Sequence, residues 1–232
     1  MKRSVAYLSV AIGLALFGSV ASTARAEGHP KIDPADGWKS LLADKDLSNW
    51  KSLGKWTVDK NGVLSRVSGG DIWTAAEYGD FILDLEFKVQ PKGNSGVGLR
   101  VTPAPTKKKP HWYSDGALEI QILGPEGHKV NERNVCAALY DMIGPTKDMQ
   151  KKPGEWNRFT ITAKGSKITV VFNGEKVLEA DLDQWTEPAK NPDGTKNKYP
   201  MVMKDFPRKG HILLQAHGHP ISFRNVYIKE LD

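Results

Sequence analysis

The side chains best suited to chemistry lie on short strand-like stretches, where they alternate with apolar residues. In ALEIQIL (117–123) the apolar residues share one face, which leaves Glu119 and Gln121 together on the other, about 7 Å apart. The same parity places Gln215 and His217 on one face of the later stretch ILLQAHG. A carboxylate, two amides and an imidazole on one face could move a proton and bind hydroxyl groups.

Two further stretches add polar groups by the same alternation. In GNSGVGLRV (93–101), Asn94 and Arg100 fall on the face opposite Val97, Leu99 and Val101. In FILDLEFKV (81–89), Asp84 and Glu86 alternate with four apolar residues. An arginine beside a carboxylate could stabilise developing negative charge, so these strands predict a polar, ligand-binding face.

Aromatic side chains occur in the first of two long loops. The segment 102–116, rich in Pro and Lys, contains Trp112 and Tyr113, which could stack on a sugar ring. The second loop, 186–210, is rich in Pro, Gly and Lys. Loops of this length in a compact domain are commonly functional or disordered, and the loop with Trp112 and Tyr113 is expected to adjoin the polar face.

Other interpretations of these residues remain open. The polar face could simply be solvated, as in most antiparallel sheets. His217 and His219 could bind a divalent metal ion with Glu119 as a third ligand, although the Gly-His-Pro sequence at His219 is more typical of a turn. No cofactor is evident from the sequence. Cys136 lies in the apolar run NVCAALY, which is typical of a buried, unreactive thiol.

The N-terminal segment has the pattern of a bacterial secretory signal. A basic start at Lys2 and Arg3 precedes an apolar run and the small-residue motif Ala24-Arg25-Ala26, which predicts cleavage after Ala26 and a periplasmic or secreted protein. A membrane anchor is the alternative, but the run is short for a span of ~20 residues. Cleavage would remove three basic residues and no acid from a chain of net charge +6, so nucleic acid is a poor candidate partner.

The rest of the chain predicts an all-β fold. Short β-rich runs are separated by turn signals, with hairpins expected at Asn61-Gly62, at 164–167 and at Asn173-Gly174, because Asn-Gly is the preferred pair for a two-residue loop. In ISFRNVYI the apolar parity changes, which predicts a β-bulge near Arg224 and Asn225. We therefore expect residues 27–232 to form a single domain, a two-sheet antiparallel jelly-roll sandwich.

Five blocks of the sequence resemble one known family, in order and over nearly all of the predicted mature chain. The blocks are GWKSLLADKDLSNWK (37–51), GNSGVGLR (93–100), LEIQIL (118–123), KPGEWNRFTITAKGSKITVVFNGEKV (152–177) and GHILLQAHGHPISFRNVYIKEL (210–231). The family they resemble is the 3-keto-disaccharide hydrolase domain family. The resemblance implies a concanavalin A-like jelly roll, an exported bacterial protein, and activity on glycosides whose sugar is oxidised to a ketone at carbon 3.

That chemistry requires less of the protein than ordinary glycoside hydrolysis. Retaining hydrolysis uses two carboxyl groups roughly 5–5.5 Å apart. The Glu119 strand supplies one, so a second would have to come from Asp84 or Glu86. With a ketone at carbon 3, one base can remove the carbon-2 proton, the carbon-1 substituent can leave, and water can add to the resulting double bond.

We therefore assign hypothetical roles to the predicted face. Glu119 is the base, Arg100 stabilises the enolate, and His217 is the acid or a co-ligand of a metal. The predicted substrate-binding residues are Gln121, Gln215, Asn94, Asp84, Glu86, Trp112 and Tyr113. The expected partner is an oxidised disaccharide or glycoside, with a functional link to a sugar 3-dehydrogenase. A non-catalytic, lectin-like carbohydrate-binding module and a structural surface protein remain as alternatives, because fold alone does not separate them.

Overall fold

The computed structural model describes residues 28–106 and 117–232. Eleven strands are present among these residues: β1 (Lys39–Ser40), β2 (Trp50–Val58), β3 (Leu64–Thr74), β4 (Phe81–Val89), β5 (Asn94–Val101), β6 (Leu118–Leu123), β7 (Asn157–Lys164), β8 (Lys167–Phe172), β9 (Glu175–Asp181), β10 (His211–Leu214) and β11 (Ile221–Glu230). The described helical structure consists of short 3-10 turns at Pro34–Asp36, Leu182–Gln184 and Met203–Asp205. No described helix is long and apolar enough to cross a membrane.

The strands pair in the order β6-β5-β10-β3-β11-β4-β7-β8-β9, with β1 added to β11 and β2 added to β3. Every strand pairing within the described residues is antiparallel, as the sequence predicts. The long strand β3 pairs with β11 near Leu64 and with β10 near Trp73. The two layers of the predicted sandwich are therefore one curled sheet, and β3 belongs to both.

The core lies between the two layers and is filled by the apolar faces predicted from strand parity. Leu83 and Leu85 of β4 are fully buried in the same cluster as Leu118 and Ile120 of β6. Rings from three strands, Phe87, Phe159 and Phe172, meet with centroids 4.6–6.2 Å apart, distances at which aromatic pairs attract. Because both layers share this core, their other faces lie on opposite outer surfaces of the molecule.

The turns form where the sequence predicts them. Asn173 and Gly174 both have positive φ, 49° and 92°, as a two-residue type I′ hairpin requires. The β7–β8 hairpin turns between Lys164 and Lys167. In β11 the register shifts between Arg224 and Tyr227, and Asn225 has φ 50°, which confirms the predicted bulge.

Strand β5 departs from the simple alternation on which the sequence analysis relied. Arg100 has φ 51°, and the β10 register against β5 shifts between His211 and Leu213. This irregularity adds a residue at the end of the strand, so the side chains beyond it change face. Val101, predicted to face the core, instead joins a separate cluster with Trp73 and Leu213.

Candidate functional site

The predicted polar face exists on β6, β5, β10 and β3, where its residues form a row across the strands. Gln121 of β6 pairs with Gly96 of β5, and the backbone N–H of Gln215 donates to the Gly96 carbonyl, 2.9 Å away. The row continues to β3, where the Asp71 carboxylate accepts a hydrogen bond from the Ala216 amide. The sheet therefore positions the side-chain amides of Gln121 and Gln215 and the carboxylate of Asp71 in one row.

Glu119 lies beside this row and is almost completely buried, with 4% of its surface exposed. A Cβ atom built on Gly96 would lie 2.3 Å from Glu119 Oε1, so the Glu119 side chain occupies the space that the missing Gly96 side chain leaves over the strand. Gln215 donates a hydrogen bond to Glu119, and Lys198 Nζ lies 3.5 Å from Glu119 Oε2. The predicted catalytic carboxylate is thus held from two sides.

The surroundings raise the pKa of Glu119. Burial is the largest cause, because it removes water from the charged form, and the nearby Asp71 carboxylate adds to it. Lys198 and the hydrogen bond from Gln215 act in the opposite direction. A carboxylate with a raised pKa is a stronger base than an ordinary glutamate, as proton abstraction from carbon requires.

Lys198 was not singled out from the sequence, where it is one of several lysines in the loop 186–210. Its Nζ lies 4.2 Å from the ring centroid of Tyr140 and 5.4 Å from that of Tyr199. The Tyr199 hydroxyl in turn donates to the Tyr140 carbonyl, which fixes the two rings together. The aromatic faces hold the ammonium group toward Glu119 by cation–π attraction. The length of this loop is typical of a functional or disordered segment, but its composition gives no signal that Lys198 enters the site.

Several buried polar atoms on the polar face have no hydrogen-bond partner within the described residues. They are the amide oxygens Asn94 Oδ1, Gln121 Oε1 and Gln215 Oε1, together with the indole donor Trp73 Nε1. Buried polar groups are normally satisfied, because an unpaired one costs roughly 1–3 kcal/mol. Three unpaired acceptors on one face are suited to a ligand that brings hydroxyl donors. The structure thus brings together Glu119, Gln121, Gln215 and Asn94, all predicted for this site.

An apolar patch adjoins the polar row on the same face. Trp73 pairs with Leu213, which pairs with Gly98, which pairs with Glu119, so these positions form a second row across the four strands. Val101, Ala117 and Leu213 pack with Trp73 in a small cluster. These apolar side chains are buried, and apolar side chains beside convergent polar groups are the usual lining of a ligand site.

Arg100 does not belong to this site, contrary to the prediction. Its side chain is fully buried, and its guanidinium donates to the Gly79 and Gly165 carbonyls and to Asp80, each at 2.8 Å. The bulge at the end of β5 turns it away from the face that Gly96 and Gly98 share with Glu119. Its donors are committed to the protein itself, so we withdraw its role as enolate stabiliser.

Asp84 and Glu86 also lie elsewhere. They occupy the outer face of the opposite layer, where Asp84 pairs with Arg158 and Thr160, and Glu86 pairs with Arg224. Parity correctly predicted that they face away from the core, but parity does not say to which of two outer faces a strand contributes. Neither can serve as a second carboxyl beside Glu119.

The histidine segment follows Gln215. Strand β10 ends at Leu214, and His217 is exposed beyond it, with its ring centroid 6.4 Å from that of His219 in a parallel arrangement. Gly218 has φ 79°, so the chain turns here, as expected for His219. No group of three His, Cys, Asp or Glu side chains close enough to hold a metal ion occurs within residues 28–106 and 117–232. Trp112 and Tyr113 lie outside the described residues.

Comparison with known proteins decides the family. Residues 37–229 match the 3-keto-alpha-glucoside-1,2-lyase-like domain. The chain belongs to this family. A curated relative, the 3-keto-disaccharide hydrolase of Bacteroides thetaiotaomicron, is 30% identical over 85% of this chain and 80% of its own length. These findings confirm the resemblance seen in the sequence and an enzyme of the glycoside hydrolase type.

Solved structures agree with the family's fold. A protein of Parabacteroides distasonis, provisionally assigned as a glycosyl hydrolase, superposes with a TM-score of 0.75 at 36% identity and covers 84% of this chain and 99% of its own. A second protein so assigned from the same organism has a TM-score of 0.61 at 29% identity and covers 84% of both chains. A Bacillus subtilis protein with a galectin-like fold, 14% identical with a TM-score of 0.52 over 83% of this chain and 94% of its own, supports the jelly-roll architecture alone.

Proposed function

We propose that this family member cleaves glycosides that carry a ketone at carbon 3, by elimination followed by hydration, with Glu119 as the base. The observation that carries the proposal is the buried Glu119 carboxylate beside three unpaired amide oxygens on one face of the sheet. The relative named 3-keto-disaccharide hydrolase supports the substrate class. Elimination needs only one carboxylate base, which Glu119 supplies, while the second buried carboxylate of this face, Asp71, accepts a hydrogen bond from the Ala216 backbone amide.

The first step is removal of the carbon-2 proton. The ketone makes this proton acidic, and Glu119, with its raised pKa, accepts it. The electron pair left on carbon 2 spreads onto the ketone oxygen as an enolate. Lys198 takes the stabilising role first assigned to Arg100, because its ammonium group is the cation held beside Glu119.

The second step breaks the bond between carbon 1 and the glycosidic oxygen. The enolate electrons form a carbon 1–carbon 2 double bond, and the departing oxygen takes a proton. We keep His217 as the proposed proton donor, because it lies two residues after Gln215, at the exposed end of this segment. Water then adds its oxygen to carbon 1, and protonated Glu119 returns a proton to carbon 2. The products are a 3-keto sugar and a free alcohol.

Hydroxyl groups of the sugar would satisfy the unpaired acceptors. Asn94, Gln121 and Gln215 each present an amide oxygen without a described partner. Each hydrogen bond formed is worth about 0.5–1.5 kcal/mol, and more where a buried acceptor was previously unpaired. The three amides therefore orient the ring so that its carbon-2 proton meets Glu119.

The proposal extends to where the protein acts and what supplies its substrate. The predicted signal at residues 1–26 directs the chain to the periplasm or the exterior. A 3-keto-glycoside arises when a hydroxyl at carbon 3 is oxidised, so a sugar 3-dehydrogenase is the class of enzyme that must act first.

Incubation of the protein with a 3-keto-disaccharide in deuterium oxide tests this function. Elimination and hydration leave one deuterium on carbon 2 of the released keto sugar when Glu119 exchanges its proton with solvent before returning it, and mass spectrometry detects this as an added mass unit. Substrate deuterated at carbon 2 covers direct return of the proton, because elimination breaks the carbon–deuterium bond and should be slowed. Direct hydrolysis breaks no bond to carbon 2, so an unlabelled product together with no isotope effect on turnover would exclude the elimination. A sample without enzyme corrects for spontaneous exchange next to the ketone.

The variant Glu119→Gln separates enzyme from lectin in the same assay. An amide cannot accept the proton, so turnover should fall by the ~10²–10⁴-fold typical of losing a general base, while sugar binding persists. Glu155→Gln, on an exposed carboxylate, is the matched control and should retain parental turnover. A parent protein that binds the sugar and leaves it intact would favour a carbohydrate-binding module instead.

A further inference from the structure

The outer face opposite Glu119 contains a small cavity to which nothing above assigns a function. Its volume is about 220 Å³, and it is lined by His29, Glu86, Lys151, Trp156, Arg158, Asn173 and Arg224. We refer to it as the Trp156 cavity. Three of the seven side chains are cationic and one is an acid, so the cavity has an excess of positive charge.

The guanidinium groups of Arg158 and Arg224 are held in place by protein contacts, but some of their N–H groups make no hydrogen bond within the described residues. The Arg224 guanidinium stacks 4.2 Å from the Trp156 ring centroid and uses Nε to bond Glu86. Arg158 uses Nε for Asp84 and Nη2 for the Pro30 carbonyl. Within the described chain, no hydrogen bond engages either Nη of Arg224 or Nη1 of Arg158. Fixed guanidinium groups with unused N–H donors are suited to an oxyanion, which they bind by charge-assisted hydrogen bonds.

The buried Nε2 atom of His29 places a second requirement on the ligand. The Thr160 hydroxyl donates to Asp84, so His29 Nδ1, 2.9 Å from the Thr160 oxygen, must be the protonated nitrogen that donates to it. His29 Nε2 is then a lone-pair acceptor, and it is buried without a partner among the described residues. Its missing partner is a donor, not another acceptor.

We propose that the Trp156 cavity binds an oxyanion that also carries a hydroxyl group, such as hydrogen phosphate or a sugar acid. The anionic oxygens contact Arg224, Arg158 and Lys151, and the hydroxyl donates to His29 Nε2. The volume limits the ligand to one such group or a single sugar unit, since drug-sized sites begin at roughly 300 Å³.

The protonation state of His29 agrees with this assignment. Burial, with the positive charge of Arg158, lowers its pKa to about 4, so the imidazole is neutral near pH 7. A neutral Nε2 can accept from the hydroxyl of hydrogen phosphate. Sulfate has the same shape and charge but carries no proton at this pH, so it leaves Nε2 unpaired.

Titration calorimetry with hydrogen phosphate, sulfate and glucuronate at about pH 7 tests the proposal. Hydrogen phosphate should bind saturably and at least about tenfold more tightly than sulfate, the difference expected when a buried acceptor is left unpaired. Glucuronate binding stronger than that of phosphate would identify a sugar acid as the ligand. Equal affinity for phosphate and sulfate, or no saturable binding of any of the three anions, would overturn it.

Two variants assign the binding to this cavity. Arg224→Gln should weaken phosphate binding by about tenfold or more, because it removes a charged donor pair, whereas Lys55→Gln removes one exposed charge from another strand and should change nothing. His29→Phe should bring the affinities for phosphate and sulfate together. Unchanged phosphate affinity in a folded Arg224→Gln protein would place the anion elsewhere and contradict the proposal.

Discussion

The pKa of Glu119 depends on its burial and on the neighbouring cation Lys198, which a substitution can remove. The ammonium group of Lys198 opposes the effect of burial and lowers the pKa of Glu119. Lys198→Met should therefore raise this pKa further and move the acidic limb of the pH profile of kcat/KM to higher pH. If Lys198 also stabilises the enolate, kcat should fall by roughly 10²–10³-fold, as for loss of an oxyanion donor.

Lys196→Met is the matched control, because Lys196 lies in the same loop and is exposed. It should leave both kcat and the pH profile unchanged. An unshifted acidic limb in Lys198→Met, with the protein folded, would mean that the 3.5 Å contact has no electrostatic effect on Glu119 in solution.

The burial of Glu119 also predicts that its charged form lowers the free energy of unfolding. The folded-state pKa of Glu119 is raised above its unfolded value, so the folded state holds the proton more tightly. The resulting destabilisation is absent at low pH, where both states are protonated, and is complete above the folded pKa. Glu119→Gln should therefore leave the free energy of unfolding near its parental value at about pH 4 and increase it at about pH 8. Urea unfolding at the two pH values measures this, and a variant less stable at the higher pH would contradict it.

At the scale of single strands, β5 is shaped around the catalytic side chain. Gly96 lets Glu119 lie across it, and a Cβ there would come 2.3 Å from Glu119 Oε1. Gly96→Ala should displace the flexible carboxylate end and reduce turnover, with a smaller effect on stability. Gly79→Ala is the control, since its nearest contact would be at 3.8 Å. Parental kcat in Gly96→Ala would show that the position of Glu119 over β5 is not required.

The β8–β9 hairpin provides a purely structural counterpart. Gly174 has φ 92°, a conformation that β-branched residues adopt only under strain. Gly174→Val should lower the free energy of unfolding by ~1–3 kcal/mol and leave substrate binding by the folded protein unchanged. Altered substrate affinity with unchanged stability would connect this turn to the site.

The sequence predicted the strands well, because alternation and Asn-Gly turns are local signals. It placed Glu119, Gln121, Gln215 and Asn94 correctly on one face for the same reason. It failed at Arg100, because a bulge breaks the parity that the prediction assumed.

Two other features of the site depend on long-range structure. Parity does not assign Asp84 and Glu86 to one of two outer faces, and no local pattern distinguishes Lys198 from its neighbouring lysines. Loop conformation and layer assignment are therefore what the sequence could not supply.

For the whole molecule, Arg100 joins elements that are distant in sequence. It links the end of β5 to Asp80, just before β4, and to Gly165 in the β7–β8 turn. Arg100→Leu would remove the cation from the Asp80 carboxylate and the donors from the Gly79 and Gly165 carbonyls. The free energy of unfolding should therefore fall by about 3 kcal/mol, the lower end for a broken buried pair. The lower end applies because the Asp80 side chain is 29% exposed and water can partly solvate its charge.

The folded fraction of Arg100→Leu should turn over substrate at the parental rate, because the side chain is remote from Glu119. Turnover per folded molecule, measured below the melting temperature, checks this. A selective loss of kcat with unchanged stability would restore the catalytic role that we withdrew.

The position of β11 has a consequence for how the chain acquires its structure. This strand follows every other strand in the sequence, yet it lies in the middle of the sheet between β3 and β4, and β1 pairs with it as well. During synthesis, β11 therefore leaves the ribosome after the other ten strands, and the edges of β3 and β4 that pair with it lack a partner until then. Such long-range pairing slows folding, so the nascent polypeptide should remain open and accessible to chaperones until residues 221–230 emerge. A delay of this kind keeps the chain unfolded for longer, which would suit the export that we propose from residues 1–26.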